Sequence, residues 1–269
     1  MSYLADGTYF VAPDIQAPLH DKRTVNAMTD FIGEEGFDGI LCVGDEADCS
    51  PISRWSRGTK DEFSGTLEAG LTSAYDVLRG LSDALGDKPF HVVRSNHTNT
   101  RLQNYLGQYA PALAEVSFLK YDRLMGLNGH APLLKNREDP LPITWHARPW
   151  EFAKGWVLAH GDEGNLSRVP GSTALSLAKR LGKSVVCGHT HRAGIQHHNV
   201  GVDGKLSNSL IGVEAGHWME IGKASYLKSG YADWQQAWVS LHISRGRVYP
   251  EVHLIRSKAF AYRGSVWSW

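Results

Sequence analysis

This sequence is poor in cysteine. Cys42, Cys49 and Cys187 stand far apart among 269 residues and form no CxxC pair, which excludes a disulfide framework and a cysteine-built zinc finger. An odd, sparse count fits a reducing cytoplasm. Cys42 and Cys187 lie inside apolar strand-like runs and read as small buried side chains. Net charge is also missing: 28 Lys and Arg balance 28 Asp and Glu. No global basic field therefore draws in nucleic acid, and only a local patch remains open. No apolar run approaches the ~20 residues that span a bilayer. Residues 1–8 are polar and lack the apolar stretch of a secretory leader. The expectation is a cytoplasmic protein with no membrane partner. Internal repeats and low-complexity tracts are absent as well.

What is present suits a folded enzyme-sized domain. Hydrophobic residues make up 42% and charged residues 21%, enough to bury a substantial core. The 13 histidines are a surplus, and their meaning depends on where they fall.

The first half alternates strand and helix. A strand over 8–13 ends at Asp14, and a helix over 22–36 carries Val25, Met28, Phe31 and Ile32 at helical spacing before stopping at Gly36. A strand over 38–43 ends at Gly44-Asp45, a long amphipathic helix covers 62–85, and a strand over 89–94 ends at Asn96-His97. The pattern blurs from 101 to 150, with helical stretches at 102–106 and 113–119 and a loop or short helix at 124–134. This segment reads as an insertion over the ligand edge of one domain spanning 1–269, since no linker-like composition borders it. A strand over 156–159 ends at His160, a helix covers 173–181, and a strand over 184–187 ends at Gly188-His189. Strands at 195–200, 209–213, 236–243 and 247–254 follow, the last two joined by a hairpin turn at 244–247.

Five clusters of metal-ligand residue types therefore lie in order: Asp14-Ile15-Gln16, Gly44-Asp45-Glu46-Ala47-Asp48, Asn96-His97, His160-Gly161-Asp162 and Gly188-His189-Thr190-His191. In open α/β sheets the carboxyl ends of strands are where ligands bind. Together the clusters offer ligands for two divalent cations, which at about 4 Å apart can clamp a phosphoryl group and activate water.

The ordered set resembles the calcineurin-like metallophosphoesterase superfamily, whose pattern is D-x-H, GD-x-x-D, GNH, H and GHxH, over about two thirds of the chain. The resemblance implies an α/β fold, a four-layer α/β/β/α sandwich of two mixed β-sheets flanked by helices. It implies one metal held by Asp14, Gln16, Asp45 and His191, and a second held by Asp45, Asn96, His160 and His189. Asp45 would bridge the pair. A bridging hydroxide would attack phosphorus, with His97 beside the phosphate to stabilise charge or protonate the leaving oxygen. Asp48 would orient a neighbouring group, and Arg101, which follows the third cluster, would hold a phosphate oxygen.

Two positions depart from the pattern. Gln16 replaces a histidine; its amide oxygen is a harder, weaker ligand, which shifts preference toward manganese or magnesium, with iron, nickel or zinc as further choices. A glutamine here is similar to phage-encoded members, which would place the protein in a host cytoplasm. Thr98 stands where an acidic residue normally orients the histidine, so His97 must be positioned by another group. Asp162 is either such an orienting residue or a plain turn carboxylate. His20 sits at the cleft mouth or on the surface, and His217 with Trp218 faces the cleft from the second sheet. Arg54 and Arg57 are further phosphate contacts or ordinary surface arginines. Trp234, Trp238, Trp267 and Trp269 are core, self-association surface or a base-stacking platform.

The expected reaction is hydrolysis of a phosphate ester, with a phosphodiester (nucleotide or nucleic acid) first. The alternatives are a phosphomonoesterase or protein phosphatase, and a catalytically silent scaffold of the same fold. A protein partner or homo-oligomer stays open.

Overall fold

The computed structural model describes residues 3–63, 65–223 and 232–269. In Gly7–Ala12 (β1) alternation sends Phe10 and Ala12 to one face and Tyr9 and Val11 to the other. β1 runs parallel to Gly39–Cys42 (β2), which runs parallel to Phe90–Val93 (β3), which in turn pairs in parallel with Thr144–His146 (β4). On its other side β1 pairs antiparallel with Ala237–Ser244 (β10), which folds back onto Arg247–Leu254 (β11) through the turn at 245–246. A second, five-stranded sheet orders Trp150–Ala153 (β5), Trp156–Leu158 (β6), Ser184–Cys187 (β7), Lys205–Ala215 (β9) and Ala193–Val202 (β8). In it β6, β7 and β9 are parallel, and β5 and β8 are antiparallel to their neighbours.

The buried side chains define the layers. Phe10, Ile40, Cys42 and Val92 pack under helices α1 (Lys22–Glu35) and α2 (Leu67–Leu85), meeting Met28, Phe31, Leu71 and Leu78. The opposite face of the same sheet, with Val11, Leu41, Val43 and Val93, packs on Phe152, Leu158, Val186 and Val213 of the second sheet. Behind that sheet, Val157, Val185 and Cys187 meet Ala174, Leu177 and Ala178 of α5 (Ser172–Leu181). Helix, sheet, sheet, helix is the expected α/β/β/α order, with two mixed sheets.

Several boundaries differ from expectation for local reasons. The helix expected from 62 starts at Leu67 because Thr66 caps it, its Oγ1 accepting from Ala69 N at 3.1 Å. Lys60–Phe63 is a separate 3₁₀ turn, and residue 64 lies outside the described residues. The helix expected over 113–119 resolves into 3₁₀ turns at Pro111–Leu113 and Ser117–Leu119. Leu113 and Phe118 are exposed there and only Ala114 and Leu119 pack partly against the core, too little buried apolar surface to hold a helix together. Helices α3 (Arg101–Tyr109) and α4 (Tyr121–Met125) do form, and Leu102, Leu106, Tyr121, Met125, Leu141 and Ile143 join the core beneath α1 and α2. Strands β4 and β5 were not anticipated, nor was the hairpin of Ala259–Tyr262 (β12) and Ser265–Ser268 (β13). That hairpin packs Phe260, Tyr262 and Trp267 around Phe31, and Trp238 stacks on Phe10 at 4.7 Å. Trp238 is therefore a core residue, and Trp267 and Trp269 pack half-buried against the core rather than forming a stacking platform.

Candidate metal centre

Loops leaving the carboxyl ends of β1, β2, β3, β6 and β7 converge, and glycines let them touch. A side chain at Gly44 (φ 97°) would meet the Ser95 Cβ at 2.7 Å, so the loops after β2 and β3 lie against each other. A side chain at Gly188 would sit 2.1 Å from Asp14 Oδ1, so the loop after β7 closes directly on Asp14. Gln16, Asp45, His189 and His191 all hold left-handed backbone conformations, with φ of 60°, 50°, 68° and 58°. Such conformations cost on the order of 1–3 kcal/mol each for non-glycine residues and gather where function requires them.

All seven expected ligands share this cluster. Asn96 Oδ1 lies 2.6 Å from His160 Nε2 and 3.0 Å from His189 Nδ1. His160 Nε2 is 3.3 Å from Asp45 Oδ2, and its Nδ1 is 2.9 Å from the Val43 carbonyl. Gln16 Nε2 donates to Asp45 Oδ2 at 2.9 Å, His191 Nε2 is 3.4 Å from Asp14 Oδ2, and His189 N donates to the same Asp14 oxygen at 2.7 Å. Two triads each bring their ligand atoms within 4.8 Å of one another, Asp45–His160–His189 and Asp14–Asp45–His191, and Asp45 is common to both. Gln16 presents its amide nitrogen to Asp45, so coordination through Oε1 requires the amide to turn over.

The residues fit a pair of cations. Two carboxylates, two amides and three imidazoles meet there, a donor set that divalent ions take. Asp14 Oδ1, Gln16 Oε1 and His191 Nδ1 are buried with no hydrogen-bond partner, although Gln16 and His191 turn their other nitrogens, Nε2 in both, toward Asp45 and Asp14. Burial pushes the Asp14 carboxyl well above the usual carboxylate range, His160 opposing and Asp45 adding to the shift. Burial also acts to raise Asp45, but the neighbouring His160 and His97 hold it well below its ordinary value. His160 is penalised by burial yet pushed up to about 10 by Asp45 and then Asp14. With Nδ1 donating to a carbonyl and Nε2 facing the Asn96 oxygen, this ring supplies positive charge to the cluster. Burial and the His160 charge bring His189 down to about 4, and burial with His217 holds His191 well below its ordinary value. Those two rings are neutral at pH 7, the form a metal takes.

His97 stands at the edge of the cluster. Its backbone N–H donates to Asp45 Oδ1 at 3.1 Å, its Nδ1 is 3.0 Å from Asp48 Oδ1, and its Nε2 is 3.9 Å from Asp45 Oδ2. Asp48 is thus the carboxylate that fixes the His97 ring, while Thr98 turns back to bond Ser95 Oγ at 2.8 Å. Asp48 is itself fixed by Ser50 Oγ, and its carbonyl accepts from Arg101 Nη1.

No protein-family model matches the chain. It is 32% identical over 260 residues to the Gene 54 protein of Mycobacterium phage L5, covering 96% of this chain and 97% of that protein. It is 31% identical over 260 residues to the Gene 54 protein of Mycobacterium phage D29, with the same coverage of 96% and 97%. This chain belongs to the mycobacteriophage Gene 54 protein family. Among solved structures it is similar to Entamoeba histolytica Vps29 complexed with Zn+2 (13% identity, TM-score 0.44, 96% and 95% of the two chains). It is similar also to Vacuolar Protein Sorting 29 of Cryptosporidium parvum (13%, TM-score 0.46, 97% and 95%). A third likeness is to a conserved uncharacterized protein, a predicted phosphoesterase, of Streptococcus pneumoniae (13%, TM-score 0.38, 98% and 97%).

Other residues hold the cluster in place without a clear signal in the sequence. Arg94 bonds Asp162 at 3.2 Å and Glu163 at 3.1 Å, tying the loop of Asn96 to the loop of His160. Asp162 is therefore a loop clamp. Glu214 on β9 accepts from Thr190 Oγ1 at 2.9 Å and from Thr173 N at 2.9 Å, so one carboxylate anchors the His189–His191 turn and caps α5. Glu46 is buried beside Asp45, bonded to the Tyr121 hydroxyl of α4, and burial pushes its carboxyl up to about 7. The Trp234 ring stands edge-on to His191 at 4.3 Å. His217 does approach the cluster, its ring 5.3 Å from His191, whereas Trp218 belongs to the core. His20 is buried and lines a separate cavity between α1 and α2. The order of Arg94, Glu163 and Glu214 along the chain hints at none of these pairings, because each is made between elements.

Proposed function

We propose that this protein is a metallophosphoesterase of the calcineurin-like superfamily that uses two divalent cations to hydrolyse a phosphodiester. One observation carries the reading: a single buried carboxylate, Asp45, is common to two ligand triads. The motif order in the sequence and the three unpartnered atoms around Asp14, Gln16 and His191 support it. Asp14, Gln16 (through its amide oxygen), Asp45 and His191 would hold one ion, and Asp45, Asn96, His160 and His189 the other. Bound there, the cations would supply Lewis acidity at phosphorus and acidify water. Two amide oxygens and two carboxylates among the ligands favour hard ions, manganese or magnesium ahead of zinc.

The residues of this chain would divide the remaining work. His97 holds Nε2 at the edge of the cluster, 3.9 Å from Asp45 Oδ2, where it would pass a proton to the departing oxygen. Asp48 holds the ring through Nδ1 and offsets the charge of its protonated form, as a carboxylate behind a catalytic histidine does. Arg101 lines the groove with Asn96 and bonds the Asp48 carbonyl; its remaining donors would hold a phosphate oxygen. A proton donor matters most for an alkoxide leaving group, which is why a diester is the proposed substrate. The protein would work in the host cell, and no helix among the described residues is long and apolar enough to cross a membrane.

A scaffold of the same fold is the competing reading, favoured by the amide nitrogen that Gln16 turns toward Asp45. Hydrolysis of bis-p-nitrophenyl phosphate with added manganese decides between them. Turnover that requires the metal and falls in His97→Ala supports the enzyme; no turnover with any divalent ion supports the scaffold. Faster hydrolysis of p-nitrophenyl phosphate than of the diester would assign a monoesterase instead.

A further inference from the structure

A groove of about 680 Å³ leads away from the metal centre between residues 51–62 and α3. Asn96 and Arg101 lie in its lining, so it reaches one of the proposed ligands, and Arg54, Trp55, Arg57, Tyr105 and Tyr109 line it further out. We propose that this groove binds single-stranded polynucleotide and so sets the substrate class of the phosphoesterase. The catalytic half of that statement rests on the function proposed above; the binding half does not.

The lining has the chemistry of a strand, with aromatic faces for bases and cations for phosphates. Trp55 is 74% exposed, a large apolar ring held in water beside a catalytic cleft. Tyr105 and Tyr109 are exposed too, with ring centroids 4.9 Å apart. Each base presents a π-face, so such rings take up unpaired bases whatever their sequence. The arginines are arranged around the same rings: Arg54 lies over Trp55 at 4.6 Å, and Arg57 over Tyr109 at 4.9 Å while bonding its hydroxyl. A guanidinium stacked on one face orders the ring and leaves a positive charge beside the space a base would fill. Glu62, the acidic residue of the lining, is turned onto Gly58 N at 2.6 Å. Arg54 and Arg57 thus form a local basic strip on a chain of zero net charge, with Arg101, bonded to the Asp48 carbonyl, at its inner end.

The alternatives use only part of this. A phosphopeptide would engage the arginines and gain little from three exposed rings. Duplex bases already stack on their neighbours and offer these rings no face. An unpaired strand uses rings and cations together.

Binding is measured in EDTA, where turnover cannot intervene, by fluorescence anisotropy of labelled oligo-dT and oligo-rU against a duplex of equal length. The wild-type protein is expected to prefer the single strands. Trp55→Ala and Tyr109→Ala are each expected to weaken that binding about fivefold to a hundredfold, and Trp55→Phe to retain most of it. Arg54→Gln and Arg57→Gln should each lower the slope of log affinity against log salt by about 0.7. Thermal melts confirm that each variant is folded. Equal affinity for duplex, binding indifferent to Trp55→Ala and Tyr109→Ala, a stronger hold on a phosphopeptide, or no binding of either polymer would each overturn the proposal. Hydrolysis of bis-p-nitrophenyl phosphate by the wild-type protein reports on the metal centre separately, so failure of one reading does not hide failure of the other.

Discussion

The two halves of the metal centre share Asp45 and otherwise differ. Asn96, His160 and His189 satisfy one another: one amide oxygen faces both rings, and His160 is anchored at its far nitrogen to the Val43 carbonyl. Around Asp14, Gln16 and His191, by contrast, a carboxylate oxygen, an amide oxygen and a ring nitrogen are buried without partners. Leaving such a group unsatisfied costs about 1–3 kcal/mol. The first of these halves holds its shape by its own hydrogen bonds, with the His160 charge in place of a cation. The second leaves those three atoms unpartnered, and its Gln16 oxygen reaches a cation only if the amide turns over. A glutamine in place of histidine falls in the half that depends more on the metal.

The largest effect is expected where the halves join. Asp45→Asn removes the shared charge and should reduce metal content toward zero, with diester hydrolysis falling by roughly 10³-fold or more; elemental analysis and a rate assay check both. An Asp45→Asn protein that keeps one tightly bound ion would show that the halves are independent. His97→Ala should lower diester hydrolysis about 10²–10⁴-fold with metal content unchanged. Asp48→Asn, acting through the His97 ring, should cost about 10–100-fold.

Gln16→His sharpens the comparison directly. It should tighten metal binding in the Asp14 half by about tenfold and widen the choice toward zinc, as read by calorimetric titration. Unchanged affinity would mean that Gln16 only orients Asp45. The smallest expected signal is a proton. His160, with its ring pushed up to about 10, is charged at pH 7.5, whereas His189, at about 4, is already neutral. Metal uptake by the Asn96 half should therefore release about one proton, and its affinity should fall as the pH falls. Calorimetry in buffers of different ionisation heat measures that count; a value near zero would remove the imidazolium from the account.

The two regions were also unequally legible in the sequence. Ligands could be read because parallel strands deliver Asp, Asn and His at their carboxyl ends, in an order that resembles a known set of motifs. What positions those ligands could not be read. Asp48 meets His97 across 49 positions and Glu214 meets Thr190 across 24, contacts made only when β2 pairs with β3 and β7 with β9. The groove was hidden for the same reason: Arg57 and Tyr109 are 52 positions apart and become neighbours only when α3 folds over the 51–62 segment. Strands β4 and β5 are three and four residues long, too short for an alternation to show, and the 113–119 stretch was misjudged because apolar residues there face solvent.

Diffraction from crystals soaked in manganese, with data on both sides of the metal absorption edge, tests the central claim most directly. Two anomalous peaks about 4 Å apart with Asp45 between them are the predicted result. A single peak, or two peaks that do not share Asp45, would contradict it.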